Sequence, residues 1–353
     1  MNRRLALQSL GFLSLLRPSL VAQSPDSVDF LKHHPAVDLH CHPGVFFQRG
    51  EAGYEGDQAP ARTVTEMRQG CLAAGFFSIV ADAKILGRDA KGVVVSRAFA
   101  AGESWADCQR QLTTFDDLGR REKISLASSV PQMEAARSRG QLAAFLSCEG
   151  GDCLEEKVER LDDLYQRGVR SFQLVHYAQN TLGDSQTNPP VHNGLSTFGR
   201  DVVRRLNRLG MVVDVAHASF ATAKATVDAT IAPIVLSHSH LQSESTPHPR
   251  LITVEHARLV ASTGGVIGAW PSGFANRTFA DFVDQTMRLV DAVDVDHVGL
   301  GTDMDSNFRP VFSTYRQLPD WIAALRAKGL SEGDVAKIAG GNALRVLRHV
   351  LKA

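Results

Sequence analysis

The chain has 353 residues, 44% of them hydrophobic, with 38 basic and 38 acidic side chains and a formal net charge of zero. That length supports one large α/β core or two ordinary ones, and the balanced charge, with no long Lys/Arg block, argues against nucleic acid or an acidic membrane surface as partner. Five cysteines (Cys41, Cys71, Cys108, Cys148 and Cys153) are too few and too scattered for a disulfide-built fold; Cys148 and Cys153 do not have zinc-finger spacing, although one disulfide remains open to them.

Residues 1–24 read as an export signal. MNRR is a basic leader, LALQSLGFLSLL is an apolar stretch too short to span a bilayer as a mature anchor, and SLVAQS offers small residues for cleavage near Ala22–Ser24. Asn2-Arg3-Arg4 hints at the twin-arginine route. The protein is therefore expected in a bacterial periplasm or outside the cell. Residues 25–353 are expected to form one catalytic domain without an integral membrane anchor.

From residue 36 onward, Val/Ile/Leu/Phe runs alternate with amphipathic stretches. The predicted strands are 36–40, 76–83, 143–149, 169–176, 211–217, 234–239, 264–270 and 297–303. They show little polar alternation, as expected of strands buried on both faces. Helical patterns separate them, among them TVTEMRQGCLAAG, TFGRDVVRRLNRLG and FADFVDQTMRLVDAV; several helical patterns end in Gly before the next strand. Segment 84–142 is expected to hold two or more helices, and the tail to hold helices near 313–328 and 331–350. This order predicts a (β/α)8 TIM-type barrel, with a doubly wound sheet as the alternative. No GxGxxG follows the first strand, so a dinucleotide domain has no support.

Metal-type side chains fall at the C-terminal ends of these strands. They are His40 and His42, Glu149, His176, His217, His238 and Asp303. In a (β/α)8 barrel those ends form one mouth, where active sites are built. Imidazole and carboxylate without thiolate suit zinc or a similar divalent ion. The set exceeds one tetrahedral site and is read as two metal ions, expected to be Zn2+, sharing a carboxylate and a water. Such a pair makes hydroxide available and polarises a carbonyl, which implies hydrolysis of an amide, ester or related bond.

With CEGGD around Glu149, QLVHYAQN around His176, GLSTFGRDVVRRLNRLGMVVDVAHAS reaching past His217, LSHSH around His238, HPRLIT around Arg250 and GLGTDMDS around Asp303, the chain resembles the membrane (renal) dipeptidase family of the amidohydrolase superfamily over about residues 36–345. The resemblance implies that His40 and His42 bind the first zinc, that Glu149 bridges, and that His217 and His238 bind the second. It implies Asp303 beside a bridging hydroxide as general base and proton carrier, His176 on the tetrahedral oxygen, and Arg250 on the carboxylate of a dipeptide, L-D dipeptides included. It also implies a homodimer. Better-known members carry HxD at the first strand, where this chain has HxH; a neutral ligand should make the first metal more electrophilic. The competing readings are an amidohydrolase acting on a lactone, an N-acyl amino acid or a cyclic amide, and a non-catalytic metal-bound binding protein. Trp270 is a candidate wall of the substrate pocket, and Cys148 is expected to point away from it.

Overall fold

The computed structural model describes residues 25–89, 92–244 and 247–352; the leader predicted over residues 1–24 lies outside them. The strands are β1 Ala36–Cys41, β2 Leu72–Val80, β3 Leu86–Asp89, β4 Gly92–Val95, β5 Ser125–Leu126, β6 Ala143–Glu149, β7 Val169–Gln173, β8 Val212–Asp214, β9 Val235–Ser239, β10 Val266–Ala269 and β11 Val298–Leu300. Eight of them form a parallel ring in the order β2-β1-β11-β10-β9-β8-β7-β6, closed by pairing of β2 with β6. This is the predicted (β/α)8 barrel. The short β5 pairs with the first two residues of β6, below the point where β7 joins at Leu146.

Every residue of β1, β2 and β6 is buried, as their unbroken apolar runs require. Val37, Phe76, Phe145, Val212, Val235 and Val266, from the early part of their strands, pack in one cluster with Leu344 and Leu347 of the helix Asn342–Val350. This apolar plug fills the N-terminal end of the ring. The polar strand ends therefore collect at the other end.

The structure differs from the sequence expectation at three places. β2 begins at Leu72, so CLAAG is turn and strand rather than the end of a helix. The helix Gln58–Gln69 stops at Gly70, Cys71 takes φ 60°, and Leu72 then pairs with Ala36 and Ala74 with Ala143. Alanine favours helix, but the small residues are needed where two neighbouring strands close, and tertiary pairing overrides propensity. Segment 84–142 holds the two expected helices, Glu103–Glu122 and Val130–Ser138, but also the antiparallel hairpin β3–β4. The tail carries helices Leu318–Ala327, Glu332–Ala336 and Asn342–Val350, with a π-turn at Lys337–Gly341 between the last two. Among the described residues no helix is long and apolar enough to cross a membrane.

Candidate metal centre

Two buried carboxylates fix the strand ends that carry the histidines. β1 slips register between Asp38 and Cys41. There Asp38 Oδ1 accepts from His40 N (3.1 Å) and Thr302 N (3.0 Å), while Oδ2 accepts from the hydroxyls of Thr302 and Tyr315. Asp214, at the end of β8, repeats the device: its Oδ1 accepts from Ala216 N (2.9 Å) and Ser237 N (3.1 Å). Each carboxylate ties the chain two residues ahead to the neighbouring strand, so the following imidazoles have little freedom to turn. Burial raises the pKa of both aspartates against the pull of these hydrogen bonds.

Glu149 ends β6 and is followed by Gly150 and Gly151. Gly150 has φ 88°, and a Cβ there would lie 3.2 Å from His176 Cβ; a Cβ on Gly151 would lie 2.6 Å from Leu182 Cδ2. Gly150 is favoured by its positive φ, and Gly151 by the Leu174 backbone oxygen, which would lie 2.9 Å from a Cβ there. His217 (φ 64°) and Asp303 (φ 53°) also lie in the left-handed region. For residues with a Cβ this costs on the order of 1–3 kcal/mol each, and such strain collects at functional sites.

The predicted side chains meet around Glu149. Its Oε2 lies 3.2 Å from His42 Nε2, and its Oε1 lies 3.3 Å from His40 Nε2, 3.4 Å from His217 Nε2 and 3.9 Å from His238 Nε2. His40 and His42 are 3.1 Å apart at Nε2, as are His217 and His238. His42 Nδ1 faces the Ser78 carbonyl oxygen (3.0 Å) and His238 Nδ1 the Ser237 hydroxyl (3.0 Å), which turns both Nε2 atoms inward. Two triads result, His40–His42–Glu149 and Glu149–His217–His238, each with donor atoms within 4.8 Å of one another. Nitrogens on one tetrahedral metal, with bonds of about 2.0–2.1 Å, would be about 3.3 Å apart. The donor set thus fits two divalent ions sharing Glu149.

Asp303 Oδ1 lies 3.4 Å from His42 Nε2. Asp305, the competing acid, instead accepts from Gly44 N and Thr63 Oγ1, both at 2.6 Å. Burial would depress His42, but hydrogen bonds and charge from Asp303 and Glu149 outweigh it and lift its pKa to about 10. Burial and the Arg250 charge hold His217 and His238 well below the usual histidine range. Glu149 stays well below the usual carboxylate range: burial opposes ionisation, but His176, His40 and His217 overcome it.

His176 Nε2 lies 3.4 Å from Glu149 Oε1, and its Nδ1 contacts Asp82 Oδ1 at 2.6 Å. Asp82 Oδ2 also accepts from Tyr177 N and Ala178 N. Burial opposes protonation of His176, but Asp82 and Glu149 outweigh it and raise its pKa. Arg250 is 1% exposed; its guanidinium meets Gln186 Oε1 (2.6 Å), the face of Trp270 (5.2 Å) and the Tyr177 side chain, and leaves Nε and Nη2 without a hydrogen-bond partner among the described residues. A cavity of about 280 Å3 joins these groups; Glu149, His176, His217, Arg250, Trp270 and Asp303 line it. The hairpin β3–β4 adds Leu86, Gly87, Arg88 and Val93 to its wall.

All eight predicted site residues therefore border one region, and Trp270 walls it as expected. Sequence reading assigned no role to Asp38, Asp82, Asp214 and Tyr177. The three aspartates each stood inside or at the end of a predicted apolar strand, a position costly for an unpaired carboxylate; that was the signal available.

A parallel eight-stranded barrel with carboxylate-linked histidine pairs at its C-terminal mouth defines a class, that of (β/α)8 proteins with a candidate metal centre where the strands end. Within it, residues 26–353 match the membrane dipeptidase family (peptidase family M19), and the chain belongs to that family. The dipeptidase tcpJ of Claviceps purpurea is 33% identical over 239 residues, covering 65% of this chain and 56% of that protein. Among solved structures, the probable dipeptidase PvdM of Pseudomonas aeruginosa superposes with TM-score 0.78 at 19% identity, over 92% of this chain and 98% of that one. A metallo peptidase from Rhodobacter sphaeroides, liganded with a phosphinate mimic of L-Ala-D-Ala, gives 0.75 at 20% identity over 90% and 99%. At these identities the two structures speak to the fold alone.

Proposed function

We propose that this chain is an exported dipeptidase that uses two Zn2+ ions, held by His40, His42 and Glu149 on one side and by Glu149, His217 and His238 on the other. Bound there, the ions would supply water activated at neutral pH and Lewis acidity toward a carbonyl. Asp303, at the mouth and 3.4 Å from His42, takes the proton from the attacking water and delivers it to the leaving amine. His176, oriented by Asp82 on Nδ1, offers Nε2–H to the oxygen on which charge develops.

The observation that carries the substrate class is Arg250. It is a buried guanidinium with two unpaired donor nitrogens and, among the described residues, no carboxylate within 4.0 Å. A buried cation without an anion is costly, so the site is built to receive one. A substrate carboxylate completes it, and a cavity of about 280 Å3 is near the small end of ligand sites, about 300 Å3. A dipeptide, L-L or L-D, presents that carboxylate one residue from the scissile bond. We further propose that residues 1–24 are removed on export, that residues 25–353 act as one catalytic domain, and that the mature chain works as a homodimer.

The test is hydrolysis of an L-L and L-D dipeptide panel by the zinc-loaded chain, beside a chelated sample and Asp303→Asn. Turnover lost in both controls is expected. No turnover of any dipeptide at full metal content would reject the reading and turn the search to lactones and N-acyl amino acids.

A further inference from the structure

Outside the mouth, three cysteines converge from three elements. Cys108 projects from the helix Glu103–Glu122, Cys148 is the residue of β6 just before Glu149, and Cys153 lies in the 3-10 turn Asp152–Leu154. All three have no exposed surface. Their sulfurs lie within 4.8 Å of one another, and Cys148 and Cys153 are 3.8 Å apart at Sγ.

That separation is informative. A disulfide requires about 2.05 Å. Two thiolates on one tetrahedral zinc, with Zn–S bonds of about 2.3 Å, stand about 3.8 Å apart. A thiol–thiol hydrogen bond also spans 3.8 Å between Cys148 and Cys153; the convergence of a third sulfur, that of Cys108, within 4.8 Å of both is what three separate buried thiols would not need. Arg160, only 8% exposed, adds a cation beside the cluster: its Nη1 donates to the carbonyl oxygens of Cys153 (2.8 Å) and Leu154 (3.3 Å). Glu155 Oε2 pairs with the same nitrogen at 3.0 Å, so Arg160 braces the turn that carries Cys153 rather than neutralising the thiolates.

We propose that Cys108, Cys148 and Cys153 form a second, thiolate metal site for a soft d10 cation, Zn(II) or Cu(I), separate from the histidine–carboxylate centre. Soft sulfur ligands select these ions. Binding exchanges the thiol protons, released to solvent, for metal–sulfur bonds. Its place in the fold gives it a structural role. It would pin the end of β6 and the Gly150-Gly151 turn to the helix Glu103–Glu122, one residue from the carboxylate shared by the two histidine pairs.

The experiment is X-ray absorption on the reduced full chain, loaded in parallel with Zn(II) and with Cu(I). The histidine–carboxylate centre has only nitrogen and oxygen donors, so a sulfur shell at about 2.3 Å reports the cysteine site alone. The expected result is a sulfur shell in at least one arm that falls away in both Cys108→Ser and Cys153→Ala. No sulfur shell in either arm of the wild-type chain would overturn the proposal whatever the variants do. So would a shell that persists in both variants, or a Cys148–Cys153 disulfide found by mass spectrometry in the chain purified without reductant.

Discussion

The two histidine pairs around Glu149 are built alike, yet His42 of the first is shifted oppositely to both members of the second. Each has Nε2 atoms 3.1 Å apart, and each follows an aspartate that ties its strand end to the next strand. Yet the carboxylates of Asp303 and Glu149 lift the pKa of His42 to about 10 against its burial, whereas burial and the Arg250 charge hold His217 and His238 well below the usual range. Ligand identity is the same on both sides; what differs is which charges stand behind the ligands. A second carboxylate makes the first side hungry for positive charge; on the second side burial, reinforced by the charges of Arg250 and the neighbouring histidines, leaves a pair of plain lone-pair donors.

The most damaging way to break the comparison is to remove what the sides share. Glu149→Gln should cost at least about three orders of magnitude in kcat/KM, since metal-borne charge stabilisation is worth several kcal/mol, and elemental analysis should show both metal equivalents weakened. Two tightly held equivalents in this variant would show that the glutamate does not bridge.

The two supporting aspartates allow a sharper cut. Asp38→Asn should weaken the first site, and Asp214→Asn the second, by about 10- to 100-fold in metal affinity, the usual cost of disturbing groups that orient ligands. Competitive chelator titration measures both. Equal loss at both sites in either variant would mean that the halves are not separately supported.

Proton release distinguishes the halves without mutation. In the metal-free chain at pH 7–8 His42 lies below its pKa of about 10 and carries a proton that an incoming ion must displace. His217 and His238 lie above theirs and carry none. Uptake at the first site should therefore release about one proton and strengthen as pH rises, while uptake at the second should hardly change. Calorimetry in two buffers of different ionisation heat reads the difference; equal release at both sites would contradict it.

The smallest effect is a control on folding rather than binding. Burial pushes His256 down to about 4. The folded state binds fewer protons there than the unfolded one, so its contribution is full above about pH 6.5 and is lost as pH falls toward 4. His256→Leu should flatten the fall in melting temperature over that window by a few degrees, measured calorimetrically. An unchanged slope would place the acid sensitivity elsewhere.

How much of this was legible in the sequence depends on chemistry more than on position. The ligands could be read because histidine and carboxylate at the ends of apolar runs have few other reasons to be there, and the barrel brings strand ends together. Asp38, Asp82 and Asp214 could not be assigned because each works through backbone amides or a distant histidine, partners that only the ring supplies. The hairpin β3–β4 was missed for the opposite reason. Val93 is half-buried and Val95 is 46% exposed, so the pair never joins the core whose periodicity strand prediction detects. Arg250 was named from resemblance; its lack of a carboxylate partner needed coordinates.

The closure of the ring also sets an order of assembly. β8 and β9 follow one another in the chain, so His217 and His238 can meet as soon as that neighbourhood folds. Asp303 reaches His42 only when β11 pairs with β1, a contact between Asp38 and Leu300 that spans most of the molecule. Such distant contacts form late because closing a long loop is entropically costly. Asp303 is therefore the last of the site's groups to arrive, and a chain cut short before residue 298 would keep the five histidine and glutamate ligands of both triads while lacking the carboxylate that faces His42.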